Sequence, residues 1–266
     1  MAWRPDDKIN EYGEPTYWDQ HYDKKRKEEG LEYSFDFYVE PESLMPLLES
    51  YFGTDKGMNL LIIGAGSSEI PQLLYEAGFR RITCIDVSPV LVAHMQNRHH
   101  QHEGLDYFVM DVKNLGSFPD NSFDGILDKG TMDALFGSIR CMDDVLLMSK
   151  EVCRVLKVGK TFVEVSHGLP DTRLVYLRHH SLQWTAQHFT LPTNSSVHVY
   201  HMTKTPALPA LTAGGDAEAA ALLGAARARR RAGSLDLGVV RDLGETLADV
   251  RAMAAEYAAA DADPDA

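Results

Sequence analysis

The sequence predicts an α/β protein of three layers, built on a mostly parallel sheet that ends in an antiparallel hairpin. Three observations predict it. Short apolar runs end in turn chemistry, stretches with helical spacing separate them, and near residue 183 the alternation gives way to two adjacent strand-like runs. Residues 58–64 (MNLLIIG) and 81–87 (RITCIDV) are continuous apolar runs, the pattern of strands buried on both faces. Residues 105–111 (LDYFVMD), 123–130 (FDGILDKG) and 160–168 (KTFVEVSHG) repeat it. Between them the spacing predicts helices over 70–77, 89–99 and 142–156, with Ser88 as a cap and Pro89 in a first turn. Strand alternating with helix implies a parallel sheet covered on both faces. Residues 183–191 (QWTAQHFTL) and 197–204 (VHVYHMTK), joined by residues 192–196 (PTNSS), read as the hairpin.

A composition break falls near Pro206. Beyond it about a third of the residues are alanine and aromatics almost vanish. The folded domain is expected over residues 1–205. Residues 206–266 form an alanine-rich tail, expected to be partly disordered, with one helix over 235–257 where Val239, Leu243, Leu247, Val250, Ala254 and Tyr257 recur at helical spacing. The 266 residues are 44% hydrophobic and 24% charged, ordinary for a soluble protein that buries a core without disulfides or metal. Cys84, Cys141 and Cys153 form no CxxC pair and leave one over from any disulfide, which points to a reducing, cytoplasmic setting. A net charge of -13 argues against a broad phosphate-tracking surface, so no direct nucleic-acid contact is expected. No apolar run approaches the ~20 residues that span a bilayer, and no membrane partner is expected.

The chemistry begins at residues 59–74 (NLLIIGAGSSEIPQLL), a strand, a glycine turn and a helix. Gly64 and Gly66 fill two positions of a dinucleotide fingerprint, but Glu69 stands where the third glycine belongs. A carboxylate there repels a diphosphate and instead suits a cation or an amino group. Taken alone, the turn also fits an ordinary strand–helix connection. Asp86 ends the second strand, where an acid accepts ribose hydroxyls or caps the following helix. Asp111 closes the third strand run, placed to read the amino edge of adenine, and Asp128 lies at the tip of the fourth. Three carboxylates at successive strand tips converge on the crevice where open α/β sheets bind ligands.

This constellation resembles the class I S-adenosylmethionine-dependent methyltransferases, whose Rossmann-like fold is a seven-stranded, mostly parallel sheet ending in an antiparallel hairpin. The resemblance implies that Gly64, Ala65 and Gly66 carry the methionine portion of S-adenosyl-L-methionine, Asp86 with Val87 the ribose, and Asp111 with Val112 the adenine. S-adenosyl-L-homocysteine would be the product. A closer resemblance rests on residues 17–22 (YWDQHY) and 128–135 (DKGTMDAL). These are similar to signature segments of a eukaryotic methyltransferase-like group that includes lysine methyltransferases of translation elongation factor 1-alpha. There the segments typically read Tyr-Trp-Asp-x-Arg-Tyr and Glu-Lys-Gly-Thr-Leu-Asp-Ala. This resemblance covers residues 15–204 and implies a protein substrate, with elongation factor 1-alpha the suggested partner.

By the same resemblance Asp128, also at the cofactor, holds the incoming amine, while Lys129, Gly130 and Thr131 shape the mouth. Tyr17, Trp18 and Tyr22 form an aromatic lid that excludes water and faces the cofactor's positive charge, or they pack an N-terminal helix on the core. Three residues depart from the pattern: His21 replaces the arginine, Asp128 the glutamate, and Lys160 the second glycine of a Pro-Gly-Gly turn. Other readings stay open. They are a small-molecule methyltransferase, a non-catalytic cofactor-binding docking module, and a nicotinamide dehydrogenase that leaves Asp111 and the missing glycine unexplained. The histidines of residues 94–102 (HMQNRHHQH) lack a carboxylate at ligand spacing, and no metal is expected.

Overall fold

The computed structural model describes residues 11–30 and 33–206. The tail helix expected over 235–257 and the partial disorder expected beyond residue 206 lie outside the described residues. Seven strands form one sheet: β1 (Leu60–Ile63), β2 (Ile82–Asp86), β3 (Leu105–Val109), β4 (Phe123–Lys129), β5 (Leu156–Ser166), β6 (Trp184–Thr190) and β7 (His198–Lys204). Their order is β3-β2-β1-β4-β5-β7-β6. β1 to β5 run parallel, and β7 runs antiparallel to both β5 and β6. The predicted fold class holds. The hairpin is folded back, so that β7 lies inside the sheet and β6 becomes its edge. Burial explains the placement: five of the seven residues of β7 are buried, whereas only Trp184 is buried in β6.

Helices α3 (Ile70–Glu76), α4 (Pro89–Arg98) and α6 (Cys141–Val155) fall within a residue of their predicted bounds. Ser88 caps α4 as expected, its hydroxyl oxygen accepting the Leu91 N–H at 3.2 Å. The structure adds α1 (Pro15–Glu29), α2 (Pro41–Phe52), α5 (Thr131–Leu135) and α7 (Pro170–Leu177). On one face of the sheet, Ile62, Leu127, Val163 and Val199 pack with Leu44, Leu48, Leu74 and Met95 of α2, α3 and α4. On the other, Ile63, Ile126, Phe162 and Met202 pack with Val145, Met148 and Leu177 of α6 and α7. Three layers result, with the parallel strands opening toward one edge.

One expectation is corrected at a strand end. β3 stops at Val109, so Asp111 lies two residues past the strand. There its carboxylate accepts the Lys113 N–H at 2.9 Å, bending the chain into a turn instead of closing a strand. Lys160 sits in an irregularity of β5, where the register jumps between the Phe123↔Leu156 and Gly125↔Thr161 pairs and Gly159 takes φ +75. Its ammonium lies 3.7 Å from Asp124 at the start of β4, the end of that strand remote from the crevice.

Candidate active site

The turn after β1 is locked to the start of α5. Gly64 has φ +52, and an added Cβ would lie 2.0 Å from Thr131 Oγ1, so this position admits glycine only. The Thr131 hydroxyl donates to the Ile63 carbonyl at 3.2 Å. Gly66, at φ +56, donates its N–H to Asp86 Oδ2 at 3.0 Å, and the Ser88 N–H donates to Asp86 Oδ1 at 3.0 Å. Burial pushes the Asp86 carboxyl up to about 6, against the pull of these backbone donors.

The N-terminus of α3 is closed by a residue that sequence reasoning missed. Asp36 accepts the Glu69 N–H at 3.0 Å and the Ser68 hydroxyl, and Lys129 Nζ pairs with it at 3.0 Å. A carboxylate of the chain itself thus occupies the helix start where a diphosphate would otherwise sit. Glu69, whose carboxylate was expected to suit a cation or an amino group there, is turned away. Its carboxylate points instead toward Arg98, 3.5 Å away, and does not line the cavity. Lys129, expected at the mouth, lines the cavity while holding Asp36 and the segment around it.

These elements enclose a cavity of about 520 Å³, within the usual range for small-molecule sites. Tyr17, Trp18, Tyr22, Gly64, Ala65, Gly66, Asp86, Val87, Asp111, Val112, Lys129 and Thr131 all line it. Asp128 does not. It is fully buried, with Oδ1 accepting the Thr131 N–H at 2.8 Å and Oδ2 the Met132 N–H at 2.9 Å. Asp128 therefore caps α5 and does not reach an acceptor in the cavity. Burial pushes its carboxyl up to about 6 despite both donors. Glu164 is its register partner on β5, also fully buried, with neither oxygen hydrogen-bonded among the described residues. Burial, then the neighbouring Asp128 and Asp133, raise the Glu164 carboxyl well above the usual range.

The acid of this segment that does line the cavity is Asp133. It accepts from Tyr38 Oη at 2.7 Å, the His167 N–H at 2.9 Å, Arg173 Nη2 at 2.7 Å and the Ser166 hydroxyl. Burial alone would raise its carboxyl, but Arg173 and these hydroxyl donors hold it below the usual range. Tyr38 was equally unforeseen. It takes φ +80, and its ring stacks on His167 at 4.0 Å.

The roof is α1. Tyr17 meets Trp18 edge-on at 5.2 Å, and Trp18 stacks with Tyr22 at 5.9 Å. Trp18 Nε1 donates to the Tyr12 carbonyl at 2.7 Å, and Asp19 ties the helix to Ser88 of the α4 cap. His21 lines the cavity too, its imidazole kept toward the neutral form by burial and then by Lys25 and Lys24. Farther off, His99 stacks on Tyr107 at 5.6 Å and His102 meets Tyr75 edge-on at 4.8 Å. Among the described residues no three His, Cys, Asp or Glu side chains cluster for a metal ion. No described helix is long and apolar enough to cross a membrane.

The chain is similar to known proteins. Residues 61–163 match a family described as a methyltransferase domain. The chain is 32% identical over 213 residues to EEF1A lysine methyltransferase 4 of Mus musculus, covering 76% of this chain and 80% of that protein. It is 31% identical over 159 residues to the eEF1A lysine and N-terminal methyltransferase of Bos taurus, covering 59% of this chain and 22% of that one. Among solved structures, phosphoethanolamine N-methyltransferase 1 of Haemonchus contortus, in complex with phosphoethanolamine and S-adenosylhomocysteine, has the same fold. The TM-score is 0.57 at 15% identity, over 81% of this chain and 54% of that one.

Proposed function

The chain belongs to the S-adenosylmethionine-dependent methyltransferases, in the family of the EEF1A lysine methyltransferases, and from that premise we propose that its acceptor is the side-chain amine of a protein lysine. One observation carries the reading. The two segments that resemble the lysine-methylating group meet across one cavity: Tyr17, Trp18 and Tyr22 from the first face Lys129, Gly130, Thr131 and Asp133 from the second.

When bound, S-adenosyl-L-methionine supplies a methyl group made electrophilic by its sulfonium. The residues present fit that cofactor. The Asp86 oxygens accept backbone N–H groups, those of Gly66 and Ser88 among them, and a carboxylate keeps further lone pairs for a ribose hydroxyl. Asp36 at the start of α3 disfavours phosphate, which suits a phosphate-free adenosine. Gly64 to Gly66 would let an amino-acid end lie against the backbone, and Asp111 with Val112, which line the same cavity, would border the adenine. The aromatic roof excludes water and offers ring faces to positive charge. A lysine amine, with a pKa of ~10.4, must lose its proton to present a lone pair, and desolvation under this roof favours the neutral form. Alignment of acceptor and donor then does the catalytic work. Asp128 serves it as a positioning residue, by fixing the start of α5.

The finer reading is an enzyme acting on elongation factor 1-alpha, supported by the names of both relatives, in the reducing cytoplasmic setting that three cysteines without a CxxC pair suggest. Transfer of labelled methyl groups into purified elongation factor 1-alpha, mapped by peptide mass spectrometry, tests it. Label on a lysine is expected. Label on lysines of some other lysate protein moves the substrate; label on no protein at all removes the protein-lysine reading.

A further inference from the structure

Phe37, Tyr38, Gly130 and Asp133 line the cavity together, with Tyr38 in contact with Asp133 and beside Gly130 and Phe37, and we propose that this part is the acceptor subsite, where a lysine amine gives an N–H to Tyr38 Oη. The assignment rests on the lysine reading above and names the group that holds the amine.

Asp128, first expected to hold the amine, and Lys129 and Thr131, expected to shape the mouth, are engaged elsewhere. Asp128 is sealed off with both oxygens accepting, Lys129 Nζ is paired with Asp36, and the Thr131 hydroxyl donates to Ile63. Tyr38 differs in polarity. Its only proton goes to Asp133 Oδ2 at 2.7 Å, so toward a ligand the phenolic oxygen acts as an acceptor. It therefore suits an N–H donor and rejects a carbonyl or carboxylate. Asp133 keeps the phenol in that orientation, being itself fixed by Arg173 Nη2 at 2.7 Å and the His167 N–H at 2.9 Å. The same pairing with Arg173 makes Asp133 a weak base, so the ammonium proton of an arriving lysine leaves to bulk water. An amine that gives one N–H to Tyr38 retains its lone pair.

The backbone supports a functional role. Tyr38 holds φ +80, a region that side-chain-bearing residues adopt at a cost, and three contacts fix it there. These are the stack on His167, the bond to Asp133, and the Asn194 Nδ2 donor on its carbonyl at 3.2 Å. Gly130 keeps the oxygen clear, since a Cβ there would stand 3.0 Å from it. Phe35 and Phe37, both exposed and in edge-on contact at 4.7 Å, give the aliphatic stem of a lysine an apolar wall.

Tyrosine-labelled protein saturated with S-adenosylhomocysteine is titrated with butylamine, the side-chain fragment of lysine, and with butyrate as a control. The resonance absent from Tyr38→Phe is expected to shift with butylamine and stay still with butyrate. Shifts confined to Tyr17 or Tyr22, or no shift at all, overturn the subsite; where the variant does not fold, through-space contacts between the Tyr38 and His167 rings assign the resonance in the wild-type protein. In turnover on elongation factor 1-alpha, Tyr38→Phe is expected to lower kcat about 10–100-fold while the S-adenosylhomocysteine Kd stays within about twofold. A kcat equal to wild type overturns the proposal. If wild type methylates no lysine yet Tyr38 answers butylamine, the subsite stands and the protein-lysine reading falls.

Discussion

At the scale of single residues, three buried carboxyls stand above their ordinary range, Glu164 and two at strand tips, Asp86 and Asp128. Asp86 and Asp128 both stand at about 6 in the folded chain against an ordinary 3.8, because burial outweighs their backbone donors. A carboxyl raised in this way binds protons more tightly when folded. Its stabilising contribution is full below about pH 3.8 and is lost as pH rises through about 6. Ligand binding at Asp86 runs the other way, since ribose hydroxyls donate to the ionised form. Calorimetry should show S-adenosylhomocysteine affinity falling as pH drops through about 6. Asp86→Asn should flatten that dependence and weaken binding by ~1.5–3 kcal/mol. A wild-type affinity level across this window would take Asp86 out of the ribose site. Gly64→Ala forces a Cβ onto Thr131 Oγ1 at positive φ and should destabilise the fold by roughly 1–3 kcal/mol in chemical denaturation. Both positions were legible in the sequence, because a glycine turn and a strand-end acid are local signals. Asp36 and Tyr38 were not, as they lie in a stretch without periodicity and act on partners 33 and 95 residues away.

At the scale of elements, the connections carry the site. Ser88 caps α4 and also holds Asp19 of α1, joining the roof to the sheet. Ser88→Ala should cost ~1 kcal/mol as a lost cap, read from the urea midpoint, and raise amide exchange in residues 15–29. The Lys129–Asp36 pair, with both side chains under a tenth exposed, staples residues 33–40 to the end of β4. Lys129→Met leaves Asp36 buried and unpaired, a loss of about 3–5 kcal/mol. Hydrogen exchange should locate that loss in residues 33–40; unchanged protection there would count against the staple. Helices α3, α4 and α6 were readable because caps, prolines and apolar spacing lie within their own sequence. α2 gave no such warning, since Pro46 interrupts it and packing of Leu44, Leu48 and Phe52 on the sheet sustains it.

At the scale of the molecule, the sheet closes with β7 at Lys204, and among the described residues those that line the cavity all precede that point. A chain ending at Pro206 should keep the S-adenosylhomocysteine affinity of the full chain; a drop of tenfold or more would give residues 207–266 a part in the site. By itself the sequence determined the layered fold, the glycine turn, the strand-end acid Asp86 and the meeting of two motif segments at one crevice. The first three follow from periodicity and turn chemistry within a few residues; the fourth was implied by the family resemblance. Only the tertiary structure decided that β7 lies inside the sheet, that Asp36 and not Glu69 closes α3, and that Asp133 and not Asp128 faces the cavity. Asp128 and Asp133 sit in the same short segment, and local pattern does not separate them. The choice falls to distant partners, Arg173, Ser166 and Tyr38, because a buried carboxylate must find its donors wherever the folded chain brings them.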